Sequence, residues 1–247
     1  MTRLSVNLNK VALLRNARAG EAPSVIDAAR TCIAAGAHGI TLHPRPDERH
    51  AKPGDVYAVA ALLERTPNVE LNVEGNPFHG LLEVVRRARP KQCTLVPDDA
   101  AAKTSDHGWD LARHGERLAP MVAELRAAGV RVSLFMDAAN GDLDAAAALG
   151  ADRVELYTEP YAAAHGGAGS GAMLARFAAA AERARSLGLG VNAGHDLSLA
   201  NVGELCAIPA GIDEVSIGHA LIADALELGL GGAVRAYLGC ISTRTRH

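Results

Sequence analysis

"AAGVRVSLFM", Ala127 to Met136, closes an alanine-rich run at a glycine and, a residue later, enters a strand-like run with apolar residues at 132, 134 and 136. The same joint recurs as "AAGAHGITLH" (34–43), "ALGADRVELYT" (148–158) and "SLGLGVNAG" (186–194). A glycine just past the last turn of a helix can take the left-handed conformation that closes it, so one short helix-to-strand connection is written four times. Working outward, strand-like segments lie at 4–9, 39–43, 69–74, 92–96, 131–136, 153–158, 189–194 and 213–218, and helical spacing occupies 24–36, 116–129, 143–150 and 172–188. Eight strands alternating with helices predict an α/β chain closed into a single (β/α)8 barrel, one domain over residues 1–247 with no linker or composition break. The competing open, doubly wound sheet would more often carry a glycine-rich turn after its first strand, and "NLNKVALLRNAR" (7–18) contains no glycine.

Composition narrows the class further. Aromatic residues make up 3% of the chain, so the core must be built from Ala, Val, Leu and Ile. A formal charge of −3 and a pI near 6.4 argue against a broad nucleic-acid surface while leaving room for a small anion site. Cys32, Cys93, Cys206 and Cys240 are widely separated with no CxxC spacing, which suggests a reducing, cytoplasmic setting. The start, "MTRLSVNLNK", has asparagines where a signal peptide needs an apolar stretch. With no apolar run of roughly 18 residues, no membrane span is expected either. Segments 97–110 and 159–169 are expected to be loops over the barrel mouth.

In such barrels the chemistry sits at the C-terminal ends of the strands. Those ends present Asn7, Asn9 and Lys10; His43 and Arg45; Glu70, Asn72 and Glu74; Asp137; Glu155, Tyr157 and Thr158; Asn192 and His195; and Ser216, Gly218 and His219. Two further stretches, "NAGHDLSLANV" (192–202) and "SIGHALIADAL" (216–226), run from strands seven and eight into helices through a Gly-His pair. Loops at those two places often bind phosphate, because glycine admits close approach and helix-start amides attract anions; tight turns are the plainer reading of the same glycines. Asp196 would repel a phosphate unless its side chain turned away to cap the following helix. His43, His50, Glu70 and His195 could ligate a metal, yet no HxH or HExxH spacing is present and Arg45 beside His43 would repel a cation, so no metal is expected. Lys10 is the single lysine at a strand end, available either for a Schiff base or for pairing with phosphate.

Taken together, "VNLNKVALLRNAR", "GAHGITLHPRPDERH", "NVELNVEGN", "LVPD", "VSLFMDA", "VNAGHDL" and "SIGHALI" resemble, in order and over nearly the whole chain, the pyridoxine 5'-phosphate synthase family. The specific parts are "GITLHPRPDERH" and "VNAGHDL". The resemblance implies a (β/α)8 barrel that condenses 1-deoxy-D-xylulose 5-phosphate with 3-amino-2-oxopropyl phosphate to pyridoxine 5'-phosphate, phosphate and water, without a cofactor. It also implies a homo-oligomer, an octamer. By the same resemblance His43 and Glu70 are proton acceptors and His195 is the proton donor. Arg45, His50 and Thr104 bind the deoxyxylulose phosphate, and Asn7, Arg18, Gly218 and His219 bind the aminoketone. The chain departs from the family where Asn9-Lys10 replaces a frequent Asp-His, Asp196 a Gly, and Tyr157 a common His; Asn9, Lys10 and Asp196 are carried as substrate-binding.

The inventory suits the chemistry, because the aminoketone brings its own amine and the protein need supply only positioning and proton traffic near neutral pH. Two other readings stand beside it. One is a metal-dependent or Schiff-base lyase on phosphorylated ketones, motivated by the His/Glu cluster and Lys10. The other is a noncatalytic phosphosugar-binding barrel.

Overall fold

Alternation along the strands sends every second side chain to the opposite face of the sheet. Here one face reads Leu4, Val6, Ile40, Leu42, Leu71, Val73 and onward around the sheet, all buried under helices. A computed structural model of the chain describes residues 1–99, 105–139 and 141–242. Eight strands, β1 (Arg3–Asn7), β2 (Gly39–Leu42), β3 (Glu70–Gly75), β4 (Gln92–Leu95), β5 (Arg131–Asp137), β6 (Arg153–Tyr157), β7 (Gly190–Gly194) and β8 (Glu214–Ile217), pair in parallel and in sequence order, and β8 closes on β1. The (β/α)8 expectation is met.

Around the barrel run α1 (Asn9–Asn16), α2 (Val25–Ala34), α3 (Pro53–Leu63), α4 (Leu81–Ala88), α5 (Leu111–Ala127), α6 (Leu143–Ala148), α7 (Glu159–Ala164), α8 (Ser170–Ser186), α9 (Val202–Cys206), α10 (His219–Leu228) and α11 (Leu230–Ser242). The four glycines of the repeated joint, Gly36, Gly129, Gly150 and Gly188, all lie in the left-handed region, with φ of 102°, 76°, 83° and 79°, each one residue past a helix cap. The segment 159–169 differs from its expectation: α7 occupies its first half, started by Pro160 in the first turn, where a missing N–H costs nothing.

The inner face is unusual for such a barrel, whose interior is commonly filled with branched apolar side chains. Polar residues dominate this one, and many of them pair with each other. Ser5 and Thr41 hydroxyls lie 2.7 Å apart, Thr94 donates to Asn72 Oδ1 at 3.1 Å, and Gln92 donates to Glu214 Oε1 at 3.0 Å. At the N-terminal rim, Arg131 donates to both Gln92 and Glu70, and Arg3 pairs with Glu70 at 3.2 Å. Arg153 donates to Asn192 at 2.8 Å in the same layer. The barrel floor is thus a closed polar plug, and the mouth is at the other end.

Candidate active site

A cavity of about 310 Å³ opens at the C-terminal end of the barrel. Its floor and walls hold Asn7, His43, Glu74, Glu155, His195 and Ser216, and its rim holds Asn9, Lys10, Arg45, His50, Asp196, Gly218 and His219. All but three of the residues expected at the site are therefore brought together. The exceptions are Glu70, Arg18 and Thr104.

Glu70, expected as a proton acceptor, lies outside the cavity. It begins β3 at the barrel floor, where burial works against its charge but the Arg131 hydrogen bond and the charges of Arg131 and Arg3 hold its carboxyl below the usual range. Four residues along the strand, about 13 Å away at 3.3 Å per residue, Glu74 occupies the mouth. Glu70 and Glu74 share one face by alternation, so a motif match alone does not separate them; counting back from the strand's C-terminal end does. Arg18 is exposed and lines a neighbouring cleft with Arg49, Lys52 and Asp47 rather than the cavity. Thr104 lies outside the described residues.

His43 stands at the end of β2 between two carboxylates. Its Nδ1 is 3.9 Å from Glu74 Oε2 and its Nε2 is 3.8 Å from Asp98 Oδ2. The strand end is pinned by Asn9, whose side-chain oxygen accepts the His43 backbone N–H at 2.9 Å, while the Asn9 N–H donates to Asn7 Oδ1 at 3.0 Å. Asn9 thereby registers β1 against β2. Asn7 Nδ2 in turn reaches Glu74 Oε2 at 3.5 Å, and Asn72 donates to the other oxygen at 3.3 Å.

Burial pushes His43 well below the ordinary imidazole range, and Arg45, His50 and His195 add to the effect. His50 is pushed down to about 4, first by burial and then by Arg45 and Arg49. Its Nδ1 has no protein hydrogen-bond partner among the described residues. In the same loop Asp47 and Arg49 form an ion pair at 2.8 Å, the internal pairing that so charged a loop needs. Arg45 is buried and forms an ion pair with Asp98.

Across the cavity, His195 closes β7 with φ of 85° and Asp196 follows with φ of 56°. Two successive side chains in the left-handed region cost on the order of 1–3 kcal/mol each, a strain that concentrates at functional positions. Thr158 supports the turn by donating to the carbonyl of Gly194 at 2.6 Å and to that of His195. The His195 ring packs on Phe135 at 4.9 Å and Tyr157 at 5.5 Å, and burial lowers its pKa. The Asp196 side chain does not cap α9, whose N-cap residue is Asn201. Gly194 lets Glu155 approach closely: a Cβ there would sit 2.4 Å from Glu155 Oε1 and would displace that carboxyl. Gly218 has a similar reason, with Asn7 Cβ 3.1 Å from where its own would lie, and it starts α10 directly at the cavity.

Glu74 and Glu155, strand-end carboxyls to which the sequence assigns no role, also line the cavity. Burial raises Glu74 well above the carboxylate range, with Glu155 and Asp98 adding to it. Burial and then Glu214 raise Glu155 to about 8, against a hydrogen bond from Thr94. Near neutrality the cavity thus holds neutral imidazoles ready to accept protons and buried carboxyls that carry them, with fixed positive charge at the rim. Such an array can shuttle protons around an anionic substrate.

Residues 4–243 match the family described as Pyridoxal phosphate biosynthesis protein PdxJ. The chain belongs to the PdxJ family. A relative from Xanthomonas oryzae pv. oryzae (strain PXO99A), named Pyridoxine 5'-phosphate synthase, is 58% identical over 244 residues, 96% of this chain and 95% of that protein. One of the same name from Albidiferax ferrireducens is 55% identical over 246 residues, 98% of each. Among solved structures, this PdxJ-family barrel is similar to the tryptophan synthase alpha chain from Legionella pneumophila, with TM-score 0.65 and 11% identity over 100% of this chain and 94% of that one. It is also similar to phosphoribosyl anthranilate isomerase from Thermotoga maritima, with TM-score 0.62 and 14% identity over 98% of each. At that identity the two structures establish the barrel alone.

Proposed function

We propose that this PdxJ-family protein is a pyridoxine 5'-phosphate synthase, joining 1-deoxy-D-xylulose 5-phosphate and 3-amino-2-oxopropyl phosphate into pyridoxine 5'-phosphate with release of phosphate and water. The observation that carries it is the convergence of His43, Glu74, Glu155 and His195 on one cavity rimmed by Arg45, Lys10 and the start of α10. The aminoketone's amine condenses with the ketone of the phosphosugar, so ring formation needs no enzyme imine and no cofactor. Dehydration, phosphate loss and ring closure then need protons taken and returned repeatedly. His43 is the base, since it is neutral and stands 3.9 Å from Glu74. Glu74, rather than Glu70, is the carboxyl at the mouth; it begins proton-bearing, as a donor, and accepts a proton only after giving that one up, while His195 returns protons from the opposite wall.

Arg45 and His50 receive the phosphosugar, Lys10 adds a fixed charge, and Gly218 and His219 offer the first amides of α10 to the second phosphate. Asp196 serves through its backbone. A homo-octamer in the cytoplasm belongs to the same reading. Leu14 (60% exposed) on α1 and Leu226 (83% exposed) on α10, helices that pack on each other, support burial against further copies. No helix among the described residues is long and apolar enough to cross a membrane. The decisive experiment mixes purified protein with both phosphates and follows pyridoxine 5'-phosphate by absorbance and mass. No product above a Glu74→Gln control would sink the proposal.

A further inference from the structure

Arg45 is 5% exposed, and a guanidinium that deep requires a counter-charge. Asp98, also 5% exposed and just past the end of β4, supplies it. A plain counter-ion could approach from any side. This one comes from the side that also faces the reacting imidazole: the same oxygen, Oδ2, that pairs with Arg45 lies 3.8 Å from His43 Nε2. The backbone that carries Asp98 is held as well, since Asn76 donates to the Asp98 main-chain carbonyl at 2.9 Å and Arg45 Nη1 donates to the Asp99 main-chain carbonyl at 3.5 Å. We infer that Asp98 is a positioning residue that links phosphate capture by Arg45 to the basicity of His43.

The link is electrostatic. At 3.8 Å the Asp98–His43 gap exceeds a hydrogen bond, so Asp98 acts on the ring through its field, and that field is largely cancelled while Arg45 sits against it. When Arg45 shares its charge with an arriving phosphate, the cancellation weakens and the carboxylate favours the protonated ring more strongly. His43 becomes a better base when a substrate is in place. The other groups facing that ring are Arg45, Arg49 and His50 from its own loop, Glu74 from β3 and His195 from β7. Of these, the proton-bearing Glu74 approaches the opposite nitrogen, Nδ1, so the charge of Asp98 and the Glu74 carboxyl meet different edges of the ring. The inference rests on the reading that Arg45 takes a substrate phosphate.

Its test titrates His43 by ring NMR in wild type, Asp98→Asn and Asp98→Glu, with and without inorganic phosphate, beside turnover measured against pH. Phosphate's own charge raises the His43 midpoint in every protein, but the rise should be larger in wild type and Asp98→Glu than in Asp98→Asn. Turnover in Asp98→Asn should fall by up to about 100-fold, as small misplacements of reacting groups do, and its acidic limb should move to lower pH because the ring has lost a favourable charge. Asp98→Glu should recover part of the loss and the wild-type limb. Equal phosphate-induced rises in wild type and Asp98→Asn, or an Asp98→Asn enzyme with wild-type turnover and limb, would overturn the inference. Should Asp98→Asn fail to fold, loss of the phosphate response in folded Asp98→Glu overturns it instead. The NMR arm needs no product, so a wild type that responds to phosphate yet makes no pyridoxine 5'-phosphate would sink the synthase reading and leave the role of Asp98 standing.

Discussion

Glu155 should make the fold less stable as pH rises, and replacing it with glutamine should remove that loss. Its carboxyl is 2% exposed and titrates at about 8 in the folded chain, against an ordinary value near 4.5. The folded-state value is the higher one, so the folded chain holds this proton more tightly than the unfolded chain does. The stability it contributes is full below about 4.5, is lost progressively as pH rises, and is gone above about 8. At 1.36 kcal/mol for each tenfold change in proton affinity, the gap between those values corresponds to roughly 5 kcal/mol. Glutamine keeps the shape and an oxygen for the Thr94 hydroxyl, which now donates to Glu155 Oε2 at 3.4 Å. Its removal of charge also relieves Glu74, so the expected gain in the variant on the alkaline side is about 2–5 kcal/mol, shrinking toward zero at acid pH. Denaturant unfolding of wild type and Glu155→Gln across that pH range reads the difference directly. An advantage that fails to grow with pH refutes the reasoning about the buried carboxyl.

Glu74→Gln should cut turnover by about 100-fold or more with the fold intact. Glu70→Gln should leave turnover unchanged yet lower stability by about 1–3 kcal/mol, because Arg131 and Arg3 lose their shared partner; steady-state kinetics beside a melt separates the two. Gly194→Ala should cost about 1–3 kcal/mol and most of the activity, since the new methyl would drive into Glu155 Oε1; a thermal melt with unchanged stability would contradict the packing argument. Arg45→Lys should raise KM for the phosphosugar more than it lowers kcat, because a lysine cannot reproduce the guanidinium fork.

The barrel itself was legible because its signals are local. Four Gly-terminated helices and eight alternating runs need no knowledge of what lies across the molecule, and each glycine took the left-handed conformation that its place implied. Most of the cavity was legible too, since strand ends announce themselves. What local signals do not carry is depth. Glu70 and Glu74 lie on one face of one strand, and the partners that differ between them, Arg3 and Arg131 for one and His43 and Asn7 for the other, come from distant parts of the chain. Asp98 goes unmarked for the same reason: "LVPD" contributes to the family resemblance, but nothing local in it announces the ion pair with Arg45, 53 residues away.

The polar barrel interior connects these two levels. A carboxyl keeps its proton near neutrality where water is excluded, and more firmly where neighbouring negative charge is close, and a side chain in an apolar barrel core would lack the hydrogen bonds that fix its direction. The inner face meets both needs in tiers. Arg3 and Arg131 at the floor hold Glu70 below the ordinary carboxylate range, so that layer can hold an ionised group, while burial still raises Glu214 against the pull of Arg153 and Arg131. One tier up, Thr94 bridges Asn72 and Glu155, and Asn72 passes the contact to Glu74 at the mouth. The direction of each mouth carboxyl is therefore fixed from below, by neutral amides and a hydroxyl that orient it without supplying a counter-charge. An arginine at the level of Thr94 would hold Glu155 equally well and would ionise it, leaving the cavity rigid but without its stored proton.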